Sequence, residues 1–482
     1  MNHYVIHEFD DALNARLRST LDERVRDGGC PSVVATLVQG ERTLFQHGLG
    51  ERRLGAAAPD VTTVYRVASC TKSFTAVMLL RLRDRGLLHM DAPITDFVPS
   101  FTALTRGSKV DPPTLAMLAS MSGGLPTDDP WADRQESISS ETLRAYVAAG
   151  VPITSVPGAY FQYSNLGYAL LGQVIERVTG RTYVDLVTDE ILRPLELRET
   201  GFTHEVAPRE QLALGYRPGP AGWTELPYSS PGAFSSIGGL FSSARDLARW
   251  ARWLSAALDD EPEETGPLSI HSRREMQRVV TAIPEGARVA TLARNATRYH
   301  GYGLGLFVEH DARLGTFVSH SGGYPGFSAH MRWHAPTGLG VVAFENATYS
   351  GAARTATTML EAVLESLDFA VAPARAWPVT RERALDATSL LHEWNEEFAR
   401  RVFEENVDLD VPFDERRATW ARLLDEVGAL RADASEPLQD EGSDDPFHLR
   451  WTVPATHGAL RCEIRLSPKT PALIQTFRVS RA

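Results

Sequence analysis

Apolar positions change rhythm along the first 45 residues. Leu13, Leu17, Leu21 and Val25 recur every four residues and predict a helix over 11–27, whereas 32–38 and 43–45 read as two strands turning at Gly40. From 69 to about 270 the chain is helical and loop-rich, and Phe74, Val77, Met78 and Leu82 mark one apolar helical face. Strand-like segments return at 303–309, 315–320, 327–334 and 339–345, closed by a helix at 351–367. Early strands, a long helical insertion and late strands predict one α/β unit over 1–370. The Pro/Ala-rich stretch 371–380 predicts a linker. Beyond it, helices are expected at 381–405 and 413–429, then an acidic loop over 432–446. Three alternating strands follow, carried by Phe447, Leu449, Trp451 and Val453, by Leu460, Cys462, Ile464 and Leu466, and by Phe477 and Val479. That makes 381–482 a small accessory α+β domain, with no motif of recognisable chemistry.

Composition narrows the function classes. The chain has 482 residues, 43% hydrophobic and 23% charged, with a net charge of −12. A negative balance argues against nucleic-acid or anionic-membrane partners, which reward basic patches. No run of about 18 apolar residues suggests a membrane-spanning helix. The first ten residues lack a basic n-region and an apolar h-region, and three scattered cysteines fit no metal spacing. A cytoplasmic location is the expectation.

Chemistry concentrates in three places. Ser69-Cys70-Thr71-Lys72 opens the stretch carrying Phe74 and Val77. Residues three apart on a helix are neighbours, about 5–6 Å between Cβ atoms, so the amine can reach back to the hydroxyl. A serine attacks well once a base takes its proton, and a lysine serves as that base when burial or a nearby cation lowers its pKa. By itself the spacing also fits an exposed serine and lysine. Tyr163-Ser164-Asn165 lies 94 residues after Ser69, and His320-Ser321-Gly322-Gly323 lies 157 residues after Tyr163.

The ordered set S-x-x-K, Y-x-N, H-x-G resembles the serine β-lactamase and penicillin-binding-protein superfamily. Tyrosine in the second motif is similar to the class C β-lactamase branch and its DD-peptidase, D-aminopeptidase and family VIII esterase relatives. Leu118–Pro126, Gly238–Ser243 and Gly301–Gly305 resemble further segments of that branch, so the likeness covers roughly residues 10 to 370. It implies an antiparallel sheet flanked by helices, with an all-α lobe. It also implies Ser69 as nucleophile, Lys72 as the amine that tunes it, and Tyr163 as general base and then acid, its phenol lowered by the Lys72 cation. Asn165 would orient the lysine and the substrate. Gly323 would supply an oxyanion N–H beside that of Ser69, and Gly322 would let substrate lie close to the strand. His320 departs from the lysine of β-lactamases and DD-peptidases. Histidine is mostly neutral at pH 7, which puts recognition of a substrate carboxylate in doubt.

The resulting expectation is a serine hydrolase acting through an acyl-enzyme on a short-chain ester or a D-amino-acid amide or peptide. No cofactor or metal is expected. An acyl transferase or peptide cyclase could use the same site, and a non-catalytic ligand-binding protein could share the fold. Three other features carry less. Ser321 invites comparison with a G-x-S-x-G elbow, but Ser319 replaces the first glycine and the following residues alternate like a strand. His330 and His334 have metal-like spacing but no third ligand, and are expected at the surface. Cys70 is expected to point into the core.

Overall fold

The computed structural model describes residues 5–105, 110–129, 131–220, 222–259, 261–284, 298–371, 375–431 and 443–482. It separates into two compact units, Met1–Ala370 and Val371–Ala482.

The first unit opens with α1 (Asp11–Arg26), which Asp10 caps by accepting from the Leu13 N–H, and which buries Leu13, Leu17 and Leu21. Strands β1 (Ser32–Gln39) and β2 (Arg42–Gly50) form the expected hairpin. Helix α2 (Thr71–Asp84) carries Lys72, α3 (Asn165–Thr179) begins at the Y-x-N motif, and α4 (Ala244–Ser255) carries Trp250. The late strands are β3 (Thr281–Ala282), β4 (Arg298–Tyr302), β5 (Phe307–Asp311), β6 (Gly315–Tyr324), β7 (Phe327–His334) and β8 (Leu339–Glu345). Together with the hairpin they make one antiparallel eight-stranded sheet, ordered β2-β1-β8-β7-β6-β5-β4-β3. Helix α5 (Ala352–Ser366) packs beside α1 on one face, around Phe317, Val341 and Met359. The opposite face covers α2 and the helical lobe through Val318, Met331 and Phe344.

Two expectations change here. The face predicted from Phe74 to Leu82 is not a single face, because α2 is buried from Thr71 to Leu80. Its polar residues are absorbed by partners far along the chain. The Trp250 Nε1–H donates to Ser73 Oγ at 2.9 Å, and Thr75 Oγ1 donates to the Ser236 carbonyl at 2.7 Å. Of the strand expected at 303–309 only Phe307–Glu309 is strand, since Gly303–Leu306 breaks away between β4 and β5. A Cβ on Gly303 would meet the Met276 carbonyl oxygen at 2.1 Å, so only glycine fits that crossing.

In the second unit, the helix expected at 381–405 is three pieces: α6 (Pro378–His392), then Glu396–Val402 and Glu405–Asp410. Glu393 is extended, and the Asn395 side chain accepts from the Phe398 N–H, starting a new helix. Pro378 occupies the first turn of α6, so the helix begins inside the expected linker. Helix α7 (Phe413–Val427) packs on the sheet β9 (His448–Ala455), β10 (Gly458–Leu466), β11 (Ile474–Arg481). Leu449, Trp451, Val453, Cys462 and Ile464 point into its core as the alternation requires. Residues 372–374 of the linker and 432–442 of the acidic loop lie outside the described residues.

Candidate active site

Ser69 lies on a single 3-10 turn, Ala68–Cys70, that leads into α2. Ala68 before it has φ 47°, a left-handed conformation that strains a residue with a side chain. The turn is clamped from both sides. Arg66, buried, pairs with buried Glu136, whose Oε2 also accepts from the Tyr324 hydroxyl at 2.8 Å. Strand β6 presses against the Val67 carbonyl so closely that a Cβ on Gly322 would sit 2.1 Å from its oxygen. Gly322 is therefore needed for contact between the strand and the nucleophile turn. Gly323, next along, faces the Tyr349 ring, where a Cβ would lie 2.4 Å from Cδ1.

Lys72 is wholly buried. Its Nζ donates to Ser69 Oγ at 2.8 Å and to the Ile237 carbonyl at 2.9 Å. Burial lowers its pKa to about 8, against the opposing pull of Asp129, Asp133 and Asp128. The surface-lysine alternative is thereby excluded. Tyr163 sits with its ring centroid 5.1 Å from Nζ. Its phenol is driven well above the usual value by burial and then by Asp129, the hydrogen bond with Ser69 pulling the other way. The direction is opposite to the lowering that the resemblance implied, and burial is its largest cause.

Asn165 is also placed differently. Its backbone N–H donates to Asp128 Oδ1 at 2.7 Å and its Nδ2 donates to Asp129. Its Oδ1 is buried without a hydrogen-bond partner, so it does not hold Lys72. Asp128 instead caps α3 from a distance, accepting from the Asn165 and Leu166 N–H groups.

His320 is buried with both ring nitrogens in use. The Ser321 carbonyl, 2.7 Å from Nδ1, can only accept, so Nδ1 carries the proton. Burial, aided by Lys72, brings the imidazole pKa to about 3, so the ring is neutral and Nε2 accepts from the Tyr302 hydroxyl at 3.0 Å. Tyr302 was missed in the sequence, although it lies inside the Gly-Tyr-Gly-Leu-Gly run already singled out. Replacing Tyr302 with phenylalanine should leave a buried acceptor unpaired and cost about 1–3 kcal/mol. Equilibrium urea unfolding checks this, and an unchanged midpoint would contradict it.

Ser69, Tyr163, Phe307, His320, Gly322 and Gly323 line one cavity of about 620 Å³, together with Asp129, Asp133 and Tyr349. The Tyr349 hydroxyl donates to Asp133 Oδ2 at 2.7 Å, and burial pushes the Asp133 carboxyl up to about 6. Asp129 and Asp133 had no flag in the sequence beyond their place just after Leu118–Pro126. Arg354, in the first turn of α5, lies at the exposed mouth.

The remaining candidates separate. Ser321 lies mid-strand in β6, with Oγ 2.7 Å from His330 Nδ1, so no elbow exists there. His330 and His334 are both buried, against the surface expectation, and His334 is held by Thr337 Oγ1 and the Leu314 carbonyl. Cys70 is buried, with burial pushing its thiol up to about 12. Among the described residues no group of three His, Cys, Asp or Glu could hold a metal ion, and no helix is long and apolar enough to cross a membrane.

The fold has known relatives. Protein flp of Staphylococcus aureus (strain NCTC 8325 / PS 47) is 24% identical over 343 residues, covering 69% of this chain and 62% of flp, so the match spans under two thirds of that relative. A structure of the octameric penicillin-binding protein homologue from Pyrococcus abyssi superposes with a TM-score of 0.63 at 21% identity, covering 98% of this chain and 100% of the other. The D-amino acid amidase from Ochrobactrum anthropi SV3, complexed with L-phenylalanine amide, gives a TM-score of 0.59 at 24% identity, covering 74% and 100%. The Beta-lactamase family model matches residues 17–365, a span that holds every residue of the cavity described above. The chain belongs to the Beta-lactamase family.

Proposed function

We propose that this protein cleaves esters or amides through a covalent acyl-enzyme on Ser69, with acyl groups that are neutral or carry an amine rather than a carboxylate. One observation carries the reading: a wholly buried lysine amine, its pKa lowered to about 8, lies 2.8 Å from the Ser69 hydroxyl. Neutral Lys72 takes the Ser69 proton as Oγ attacks the carbonyl. The N–H groups of Ser69 and Gly323 hold the oxyanion. Tyr163, kept protonated, gives its proton to the leaving group and regains one from the Lys72 ammonium. Water then repeats the sequence in reverse and frees the acid. Asn165 and Gly322 support the geometry at one remove, through Asp129 and through the Ser69 turn.

The substrate side follows from charge. His320 has no free nitrogen and no charge to offer a carboxylate. Asp129 and Asp133 give the inner cavity a negative wall suited to an ammonium, as on a D-amino-acid amide, while Arg354 stands apart at the exposed mouth. An amine acceptor in place of water would make the same site an acyl transferase or cyclase. The second unit has an accessory role.

The test is a substrate panel of p-nitrophenyl acetate and butyrate, D- and L-phenylalanine amides, and a chromogenic cephalosporin. Esters and the D-amide are expected to exceed the cephalosporin in kcat/KM by about tenfold or more, one charge-assisted hydrogen bond being worth ~1.5–3 kcal/mol. The variant His320→Lys should narrow that gap only modestly, because the new ammonium would be buried near Lys72. Efficient cephalosporin turnover by the unmodified enzyme would reject the reading.

A further inference from the structure

We propose that Tyr349 sets the length of the acyl group that the cavity accepts, by standing as a bar across its acyl end. This deepens the function proposed above and rests on it. The bar joins two walls of the cavity that come from distant parts of the chain. Asp129, Asp133 and Phe161 belong to the helical lobe, and Gly323 and Ala329 to the sheet. Tyr349 lies on the sheet side, on the link between β8 and α5, yet its hydroxyl donates to Asp133 Oδ2 at 2.7 Å. Its ring lies against Gly323 on the way, where a Cβ would be 2.4 Å from Cδ1 and 2.9 Å from Cε1.

The backbone shows that this placement is imposed. Tyr349 has φ 46°, a left-handed conformation disfavoured for a bulky residue, and such strain persists only where the surroundings fix it. Both flanks are fixed. The Thr348 N–H donates to the Tyr216 carbonyl at 2.9 Å, and Thr348 Oγ1 accepts from the Gly326 N–H at 2.8 Å. On the other side the Gly351 N–H donates to Glu345 Oε2 at 2.8 Å. At the far end of the ring Asp133 is itself buried. Burial and then Asp133 push the Tyr349 phenol far above its usual value, with Arg134 pulling the other way, so it stays a donor.

Direction decides which part of the substrate meets the bar. In the proposed mechanism the carbonyl sits between Ser69 and Gly323, and the leaving group faces the Tyr163 phenol. Tyr163 stands at the His320 end of β6, its ring centroid 6.4 Å from those of both His320 and Phe307. Gly323 lies three residues further along β6, about 10 Å away at the usual strand rise. The two substituents of a carbonyl carbon point apart. With the leaving group toward His320, the acyl group therefore runs toward Gly323, Tyr349 and Asp133. A short acyl group fits in front of the ring. A longer one must displace the hydroxyl from Asp133 or push the ring off Gly323, and the fixed backbone resists both.

The experiment compares the unmodified protein with two variants. Tyr349→Gly suits φ 46° and removes the bar, whereas Tyr349→Phe keeps the ring and loses the bond to Asp133. Substrates are p-nitrophenyl acetate and octanoate, which differ only in the acyl group, and phenyl and 2-naphthyl acetate, which differ only in the leaving group. Ratios of kcat/KM are read within each protein, so any loss of folded fraction cancels. Tyr349→Gly should raise the octanoate-to-acetate ratio about tenfold or more, and Tyr349→Phe should raise it by less. The naphthyl-to-phenyl ratio should stay within about twofold. An unchanged octanoate-to-acetate ratio, or a change confined to the naphthyl-to-phenyl ratio, would overturn the proposal. Labelling rates with a methyl and an octyl fluorophosphonate are measured alongside, since Ser69 and Ser321 both line the cavity. Labelling without ester turnover would reject the hydrolytic function and leave the octyl-to-methyl ratio to decide the bar by the same rise. Absence of both labelling and turnover would overturn the two together.

Discussion

Replacing Ser69 with alanine is expected to lower ester hydrolysis by about 10³-fold or more, because the nucleophile and its proton path are lost together. A fluorophosphonate should label the unmodified enzyme once, and peptide mapping should place the adduct on Ser69. The competitor is real and close. Ser321 lines the same cavity and has an imidazole 2.7 Å from its Oγ. That imidazole lacks the third group that orients a catalytic histidine, since His330 Nε2 is buried without a partner. Ser321 also sits on a regular strand, whereas Ser69 follows the strained Ala68 at a helix entrance. Labelling at Ser321 would transfer the nucleophile's role to it and reject the mechanism proposed for Ser69.

Lys72 is expected to set the pH dependence of both activity and stability. As a base it works only when neutral, so kcat/KM should rise with pH through about 8 and level off above it. Lys72→Met should remove activity to a similar extent as Ser69→Ala. For stability the sign follows from the lowered folded-state pKa. Between about 8 and the ordinary lysine value of 10.5 the unfolded chain binds the proton and the folded chain does not. Stability contributed by this group is therefore complete above the unfolded value and is lost as pH falls through 8. The residue is wholly buried, and the gap corresponds to roughly 3 kcal/mol. Urea unfolding across pH 7 to 10 should show that climb in the unmodified protein and lose it in Lys72→Met. Parallel curves for the two proteins would show that Lys72 is protonated alike in both states, and the general-base role would fall with it.

Much of this molecule is written locally in its sequence. The spacing of Leu13, Leu17 and Leu21 suffices for α1, because a helix places every fourth residue on one face whatever it packs against. The alternation of Leu460, Cys462 and Ile464 suffices for β10 for the same geometric reason. Ser69 and Lys72 meet because residues three apart on one helical turn are neighbours. The break after His392 was also local, in the capping signal Asn395-Glu396-Glu397, though the apolar rhythm runs across it.

What the chain could not declare were the charge states and partners at the site. Burial of α2 on every side depends on Trp250 and Ser236, more than 160 residues away. Lys72 is lowered and Tyr163 raised by burial, while Asp129 and Asp133 from another loop oppose the first shift and add to the second. His320 is neutral and unavailable because Tyr302 and the Ser321 carbonyl claim its nitrogens. Helical and strand periodicities are properties of consecutive residues, so sequence alone determined the elements and the identity of the serine–lysine pair. Dielectric surroundings, hydrogen-bond competition and close backbone approach are sums over distant segments, so only the tertiary structure decided how those groups are charged and what they can bind.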